Sequence, residues 1–150
     1  MLRLEPLLSA EVTLAPPQEF GATPQGRRRI VPITGGTFSG PRLKGRVLPG
    51  GADWQVIRED SAAVLDTRYT LETHDGALIF VQNWGIRHAA PEVMKRLLAG
   101  EAVDASQYYM RTQPRFETGD PRYAWLNKIV CVGSGERLPA AVKLDMYEVK

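Results

Sequence analysis

A carboxylate and an arginine two residues apart on an extended chain form a small unit of proton-transfer chemistry. Asp66 and Arg68 stand so in the stretch "AAVLDTRYTLET". Side chains at i and i+2 share one face of a strand, so one group could take a proton while the other stabilises the negative charge left behind. A second unit lies in "QYYMRTQPRFE", where Arg111 is two residues from Tyr109 and precedes Glu117. Asp66 or Glu117 is thus a candidate base, Tyr109 a candidate acid, and Arg68 or Arg111 the electrostatic partner. The charges on "AAVLDTRYTLET" lie on the face of Val64, Asp66, Arg68, Thr70 and Glu72. Ala63, Leu65, Thr67, Tyr69 and Leu71 form the opposite face. A strand face with that many charges looks either into solvent or into a polar lumen.

Other strand-like stretches carry similar polar rows. Tyr109, Arg111 and Gln113 alternate on one face, Asn83 continues the face of Ile79 and Val81, and Trp125 stands two before Asn127. Each of the three tryptophans has a polar neighbour: Asp53 beside Trp54, Asn83 beside Trp84, and Asn127 near Trp125. Such a set fits a cavity with aromatic walls and a few fixed polar groups, and equally fits core tryptophans with satisfied N–H groups. The expected ligand-binding set is Trp54, Arg68, Asn83, Tyr109, Arg111, Trp125 and Asn127, gathered at one mouth of a barrel. Arginine's planar fork suits an anionic, apolar or aromatic metabolite.

The glycine-rich stretch "ITGGTFSGPRLKGRVLPGGADWQ" raises a different chemistry and fails it. Gly40 and Gly45 have the separation of a phosphate-binding loop, but Arg46 and Val47 stand where lysine and serine or threonine are needed. β patterning follows where a helix would have to present its N–H groups. These glycines turn the chain or allow close backbone approach. Ser134 in "VGSGE" is not a nucleophile elbow. His74 and His88 are isolated from each other and from clustered carboxylates, so no metal site is expected. No nucleotide or other cofactor is expected either. The single cysteine, Cys131, sits in the apolar run "IVCVG" and reads as a buried small hydrophobe.

A net charge of +2 in 150 residues is too small to imply nucleic acid or an acidic membrane as partner. The Arg27-Arg28-Arg29 run reads as a solvated loop or strand edge. No stretch approaches the ~18 apolar residues that span a bilayer. Glu5 and Pro6 interrupt the apolar amino terminus and argue against a signal peptide, so the cytoplasm is the expected compartment. Self-association into a homo-oligomer is left open.

The elements that must position these residues are mainly strands. Short alternating apolar segments predict strands over 2–14, 28–34, 42–48, 54–58, 62–73, 77–84, 107–116, 124–132 and 140–149. "HDG" at 74–76 predicts a tight hairpin and "PGGAD" at 49–53 a second turn. "APEVMKRLLAGE" predicts one helix, with Pro91 at its first turn, Gly100 as terminator and Val93, Met94, Leu97 and Leu98 as its apolar stripe. That stripe suits a lid on a barrel end. About nine strands leave two open edges unless the sheet closes, so a single all-β domain over 1–150, an antiparallel meander closed into a small barrel, is expected.

The blocks "GGTFSGPRLKGRVLPGGADWQ", "LDTRYTLETHDGALI", "YYMRTQPRFET" and "YAWLNKIVCVGSGER" resemble those of the bacterial domain-of-unknown-function family 3237, also called uncharacterised protein family 0311. The resemblance runs from about Ile30 to Val149. It implies a small antiparallel barrel similar to allene oxide cyclase and the lipocalin-like barrels, and no assigned activity. The expected function is a small-molecule-binding barrel; the alternative is a cofactor-independent isomerase, cyclase or lyase, and the further alternative an assembly protein with a packed barrel. A buried carboxylate beside an arginine in a deep cavity would select the second.

Overall fold

Alternation of apolar and polar side chains is carried into strands along most of the chain, and the computed structural model describes all of residues 1–150. The strands are β1 (Leu4–Leu14), β2 (Gln18–Thr23), β3 (Gly26–Ser39), β4 (Lys44–Val47), β5 (Ala52–Ile57), β6 (Ala63–Thr73), β7 (Leu78–His88), β8 (Tyr109–Glu117), β9 (Cys131–Leu138) and β10 (Ala141–Val149). From β6 to β10 each strand pairs antiparallel with the next. β10 returns to β1, β1 pairs β3, and β4 and β5 lie end to end between β3 and β6. This closes an eight-strand antiparallel barrel. β2 pairs only with β3 and overhangs the wall. Closure leaves the wall strands with no free edge.

Two glycines of the 35–51 stretch show what that stretch is for. A Cβ at Gly36 would collide with the carbonyl of Glu11, and one at Gly45 with the carbonyl of Glu72. Their bare backbones let β3 close on β1 and β4 on β6. The 74–76 turn joins β6 to β7 as expected, with Gly76 at φ +90°.

Both ends of the barrel are covered. Helix α1 (Pro91–Leu98) forms where its stripe predicted, and buries Met94 and Leu97 against Ile57, Ala63, Leu65, Val103, Tyr108 and Met110. Gly100, at φ +84°, ends it by donating its N–H to the Leu97 carbonyl. A larger cluster fills the other end, including Leu7, Val12, Leu71, Ile79, Val81, Leu126 and Met146. Each such side chain contributes about 1.5–3 kcal/mol by leaving water. No helix is long and apolar enough to cross a membrane.

The chain departs from the sequence reading at two places. The strand expected over 124–132 is instead a 3-10 helix, Pro121–Lys128, followed by β9 from Cys131. Its start is capped by the Asp120 carboxylate, which accepts the Arg122 N–H, with Pro121 at the first position. Tyr123 and Leu126, three apart, then point together into the core. β2 was not anticipated, because "QEFGAT" buries almost nothing and is extended only through its ladder to β3.

Candidate functional site

Between the two apolar clusters the barrel holds a cavity of about 320 Å³. Val12, Val31, Ile33, Leu65, Met110 and Leu144 contribute apolar wall. The mouth is framed by the β1–β2 connection at Pro16 and Pro17, the end of α1 at Leu98 to Gly100, and the β9–β10 turn at Pro139 and Ala140. Set into this wall are Arg29, Asp53, Gln55, Thr67, Tyr69, Asn83, Arg87, Thr112 and Arg137.

Strand register explains why residues so distant in sequence meet. Arg29 of β3 lies opposite Gln55 of β5, Asp53 opposite Thr67 of β6, and Thr67 opposite Asn83 of β7. Those inward residues form a polar belt. Arg87 lies two residues beyond Gly85 on the same face of β7, opposite Met110 of β8. Thr112, next inward on β8, lies opposite glycines on both neighbours, Gly85 and Gly133. A Cβ at Gly133 would sit 2.6 Å from the Thr112 hydroxyl, so that glycine makes room for it.

Asp53 is the one carboxylate of the lining. Its Oδ2 accepts from Gln55 Nε2 at 2.8 Å and its Oδ1 from the Asp66 backbone N–H at 3.1 Å. It keeps some accessible surface and lines the cavity. Burial raises its pKa above the ordinary aspartate value of 3.8, while the Gln55 hydrogen bond and the Arg87 charge pull the other way. Arg87 is only 2% exposed. Burial lowers it to about 10, the Asp53 charge opposes that, and Arg137 and Arg29 add repulsion. It therefore remains a cation at neutral pH. Burial also pushes the Tyr69 phenol above its usual value, so Tyr69 stays a neutral hydroxyl.

The polar satisfaction of the lining is unusual. The buried side-chain nitrogen and oxygen atoms without a hydrogen-bond partner are Arg29 Nε, Gln55 Oε1, Asn83 Oδ1, Arg87 Nε and Nη2, and Thr112 Oγ1. All five residues line this one cavity. Arg29 Nε does lie 2.9 Å from Glu19 Oε1 of β2, an ion pair out of hydrogen-bond alignment. A buried polar group without a partner costs about 1–3 kcal/mol, and more when charged. Concentrating that cost at one place is characteristic of sites shaped for a ligand.

Of the ligand-binding residues expected from sequence, Asn83 alone faces this cavity. Arg68 and Asp66 do pair, at 3.5 Å, but on the solvent side of β6, each about half exposed. Tyr109 and Arg111 meet Trp84 in a shallow depression on the outer surface. Glu117 and Trp54 point outward as well. Trp125 lies under the Arg42 guanidinium, 3.6 Å from its ring centre, and Asn127 bonds Thr118 in both directions. Neither faces the cavity, because the segment carrying them is a 3-10 helix and not a strand. The correction for the others is one of parity. Each chosen residue adjoins an inward one: Trp54 stands between Asp53 and Gln55, Arg68 between Thr67 and Tyr69, and Arg111 between Met110 and Thr112. His74 and His88 are exposed, and no three histidine, cysteine or carboxylate side chains converge anywhere.

Sequence reasoning missed Asp53, Arg87 and Arg29. Arg87 had a readable signal, since Ile79, Val81, Asn83, Gly85 and Arg87 continue one face by steps of two. Arg29 was hidden in a basic run of which only the third member is buried.

Comparison with known proteins places the chain among its relatives. Residues 2–149 match the family described as "Protein of unknown function (DUF3237)". A UPF0311 protein of Rhodopseudomonas palustris is 46% identical over 124 residues, 83% of this chain and 81% of the relative. The crystal structure of a beta-barrel like protein from Acinetobacter baumannii AYE matches with a TM-score of 0.88 at 51% identity, covering 100% of this chain and 97% of that one. At greater distance, a hydroalkoxylation enzyme of Penicillium herquei is 26% identical over 147 residues, 98% of this chain and 83% of the relative. The solved structure of an enzyme from Penicillium herquei shares the fold, with a TM-score of 0.74 at 23% identity over 99% of this chain and 95% of that one. The chain belongs to the DUF3237 family.

Proposed function

We propose that this barrel is a cofactor-independent proton-transfer enzyme acting on a small oxygen-bearing organic molecule held in its lumen, with Asp53 as the acid–base group. The observation that carries this reading is the buried Asp53 carboxyl, raised by desolvation, in a cavity it shares with the largely unpartnered Arg87. A carboxyl in that environment can accept a proton and return it nearer neutral pH than a solvated one. Arg87 supplies fixed positive charge to the cavity in which an oxyanion would develop, and the low-dielectric wall strengthens that effect. Tyr69, Asn83 and Thr112 offer hydrogen bonds that orient the substrate.

Intramolecular addition of a hydroxyl group across a conjugated C=C bond is a reaction these groups suit. Asp53 removes the hydroxyl proton, the C–O bond forms as the π bond opens, and the negative charge moves onto the carbonyl oxygen, which the Tyr69 or Thr112 hydroxyl can hydrogen-bond within the field of Arg87. The Asp53 proton then returns to carbon, so no atom is gained or lost. The distant Penicillium herquei relative named a hydroalkoxylation enzyme supports the choice of this class.

The test uses 2′-hydroxychalcones, with and without a 4-carboxylate, and follows cyclisation to the flavanone by chiral chromatography. The protein is expected to accelerate closure and give one enantiomer in excess, and Asp53→Asn to reduce the rate to that of buffer. Racemic product at the buffer rate across the set, or full activity in Asp53→Asn, would sink the reading. Binding without turnover would assign the barrel to ligand carriage.

A further inference from the structure

The lining carries more positive charge than its own groups neutralise. Arg29, Arg87 and Arg137 all line the cavity, against a single lining carboxyl, Asp53. Arg29 has a carboxylate of its own in Glu19, 2.9 Å away on β2. Asp53 is the one lining carboxyl left to answer Arg87 and Arg137; its charge acts on Arg87, and neither arginine forms an ion pair with it within 4.0 Å. The Nε and Nη2 atoms of Arg87 have no protein partner at all. Arg137 is half-buried beside the mouth. Its backbone N–H donates to the Tyr108 hydroxyl at 2.7 Å, which fixes its place on β9, and its Nη1 reaches only the Glu101 carbonyl, at 3.5 Å.

We propose that the substrate carries one carboxylate, seated on Arg87 and Arg137, which anchors it so that its neutral remainder lies against Asp53. This rests on the catalytic reading of Asp53 given above and adds the class of molecule that reading acts on. With Asp53 ionised, one positive charge is left for a ligand to neutralise, which a monoanion does and a phosphate dianion exceeds. A guanidinium donates two parallel N–H bonds to the two oxygens of a carboxylate, and Arg87 has two N–H groups free for that purpose. Apolar side chains make up about half of the lining, 13 of 25 residues, so the rest of the molecule is hydrocarbon or aromatic. Burial depresses both arginines first; the charges of Arg137 and Arg29 add to it at Arg87 and that of Arg29 at Arg137, and a bound anion relieves this repulsion.

Calorimetric titration with 2-naphthoate, its neutral isostere 2-naphthamide and phenyl phosphate tests the proposal. Naphthoate is expected to bind at least about tenfold more tightly than the other two. Arg87→Gln and Arg137→Gln should each cost naphthoate that factor and leave naphthamide unchanged. Arg137 is half-exposed, so Arg137→Gln carries the test should Arg87→Gln fail to fold by circular dichroism. Asp53→Asn should bind naphthoate at least as tightly as the parent. Equal affinity for acid and amide, tighter binding of the phosphate, or naphthoate affinity untouched by Arg137→Gln overturns the proposal. The two readings fail separately. Acid and amide bound alike while Asp53→Asn abolishes cyclisation removes the anion anchor alone. A preference for the acid while Asp53→Asn still turns over removes the catalytic role alone.

Discussion

The two ends of the barrel lumen treat polar groups in opposite ways. At the end covered by the 3-10 helix, Asp75 accepts from the Thr73 hydroxyl at 2.6 Å and from the Tyr123 hydroxyl at 2.8 Å, with Arg122 3.2 Å away. Asp120 and Asn127 are likewise answered by Arg122 and Thr118. At the end covered by α1, Asp53 sits among side chains whose N–H and C=O groups lack partners. One end spends its polar groups on holding the loops in place, and the other withholds them. The hydrogen bonds to Asp75, Thr73 foremost, hold that carboxyl below the usual aspartate value, whereas burial drives Asp53 above it. Satisfied and unpartnered polar groups thus lie at opposite ends of one sheet.

The widest separation between the ends is expected in activity. Asp53→Asn should lower the rate of any cyclisation the barrel performs by roughly 10²–10⁴, the usual contribution of a general acid–base group. Its fold should survive, because Gln55 can turn its amide to face the new side-chain amide with its unpartnered oxygen. Steady-state rates beside a circular dichroism spectrum check both halves.

In stability the order reverses. Leu126→Ala at the packed end should cost about 2–5 kcal/mol by urea denaturation, since the site is 1% exposed and has no room to relax. Val142→Ala on the cavity wall should cost about 1 kcal/mol or less, because that methyl pair already borders open space. Equal losses would mean that the cavity end is packed as tightly as the other.

The carboxylates give the comparison a pH dependence. Asp53 is raised, so the native state favours its protonated form. That contribution is full below the ordinary value of 3.8 and is lost as pH rises through the folded value. Asp75 is depressed, so its contribution is present above the ordinary value and is lost as pH falls through the folded value. Asp53→Asn should therefore be more stable than the parent at neutral pH, with an advantage that shrinks to nothing as pH falls toward 3.8. An advantage that grew on acidification would reverse the assignment.

The smallest effect concerns one hydroxyl. Thr112→Val removes a buried oxygen that has no partner while keeping the shape, and should be neutral or stabilising by about 1 kcal/mol. A loss of that size would show that the hydroxyl is satisfied in the folded protein.

Strands, hairpin and helix were legible because each rests on local rules: alternation, Asp75-Gly76 in a turn, and Pro91 and Gly100 bracketing an apolar stripe. The 3-10 helix was misread because "YAWLNKIV" alternates like a strand, while the Asp120-Pro121 cap that decides it lies just upstream. The site was harder to read because inside and outside are global properties. On β5 both parities carry plausible groups, Trp54 on one and Asp53 with Gln55 on the other, and only closure shows which faces the axis. Charge pulled the reading outward, toward Arg68 and Arg111, when the apolar company of Thr67 and Thr112 was the better guide to the lumen.

Closure has one more consequence, for how such a barrel can change over generations. β1 is bonded to β10 on one side and β3 on the other, so no wall strand can slip without disturbing the whole ring. Deleting one residue of β7 before Asn83 would put His88 where Arg87 now stands and turn Asn83 to solvent. Heritable novelty in this scaffold therefore comes by exchange of single inward side chains, and by insertions in the connections at 58–62, 74–77 and 99–108. The chemistry of the lumen can be rewritten letter by letter while the reading frame of every strand stays fixed.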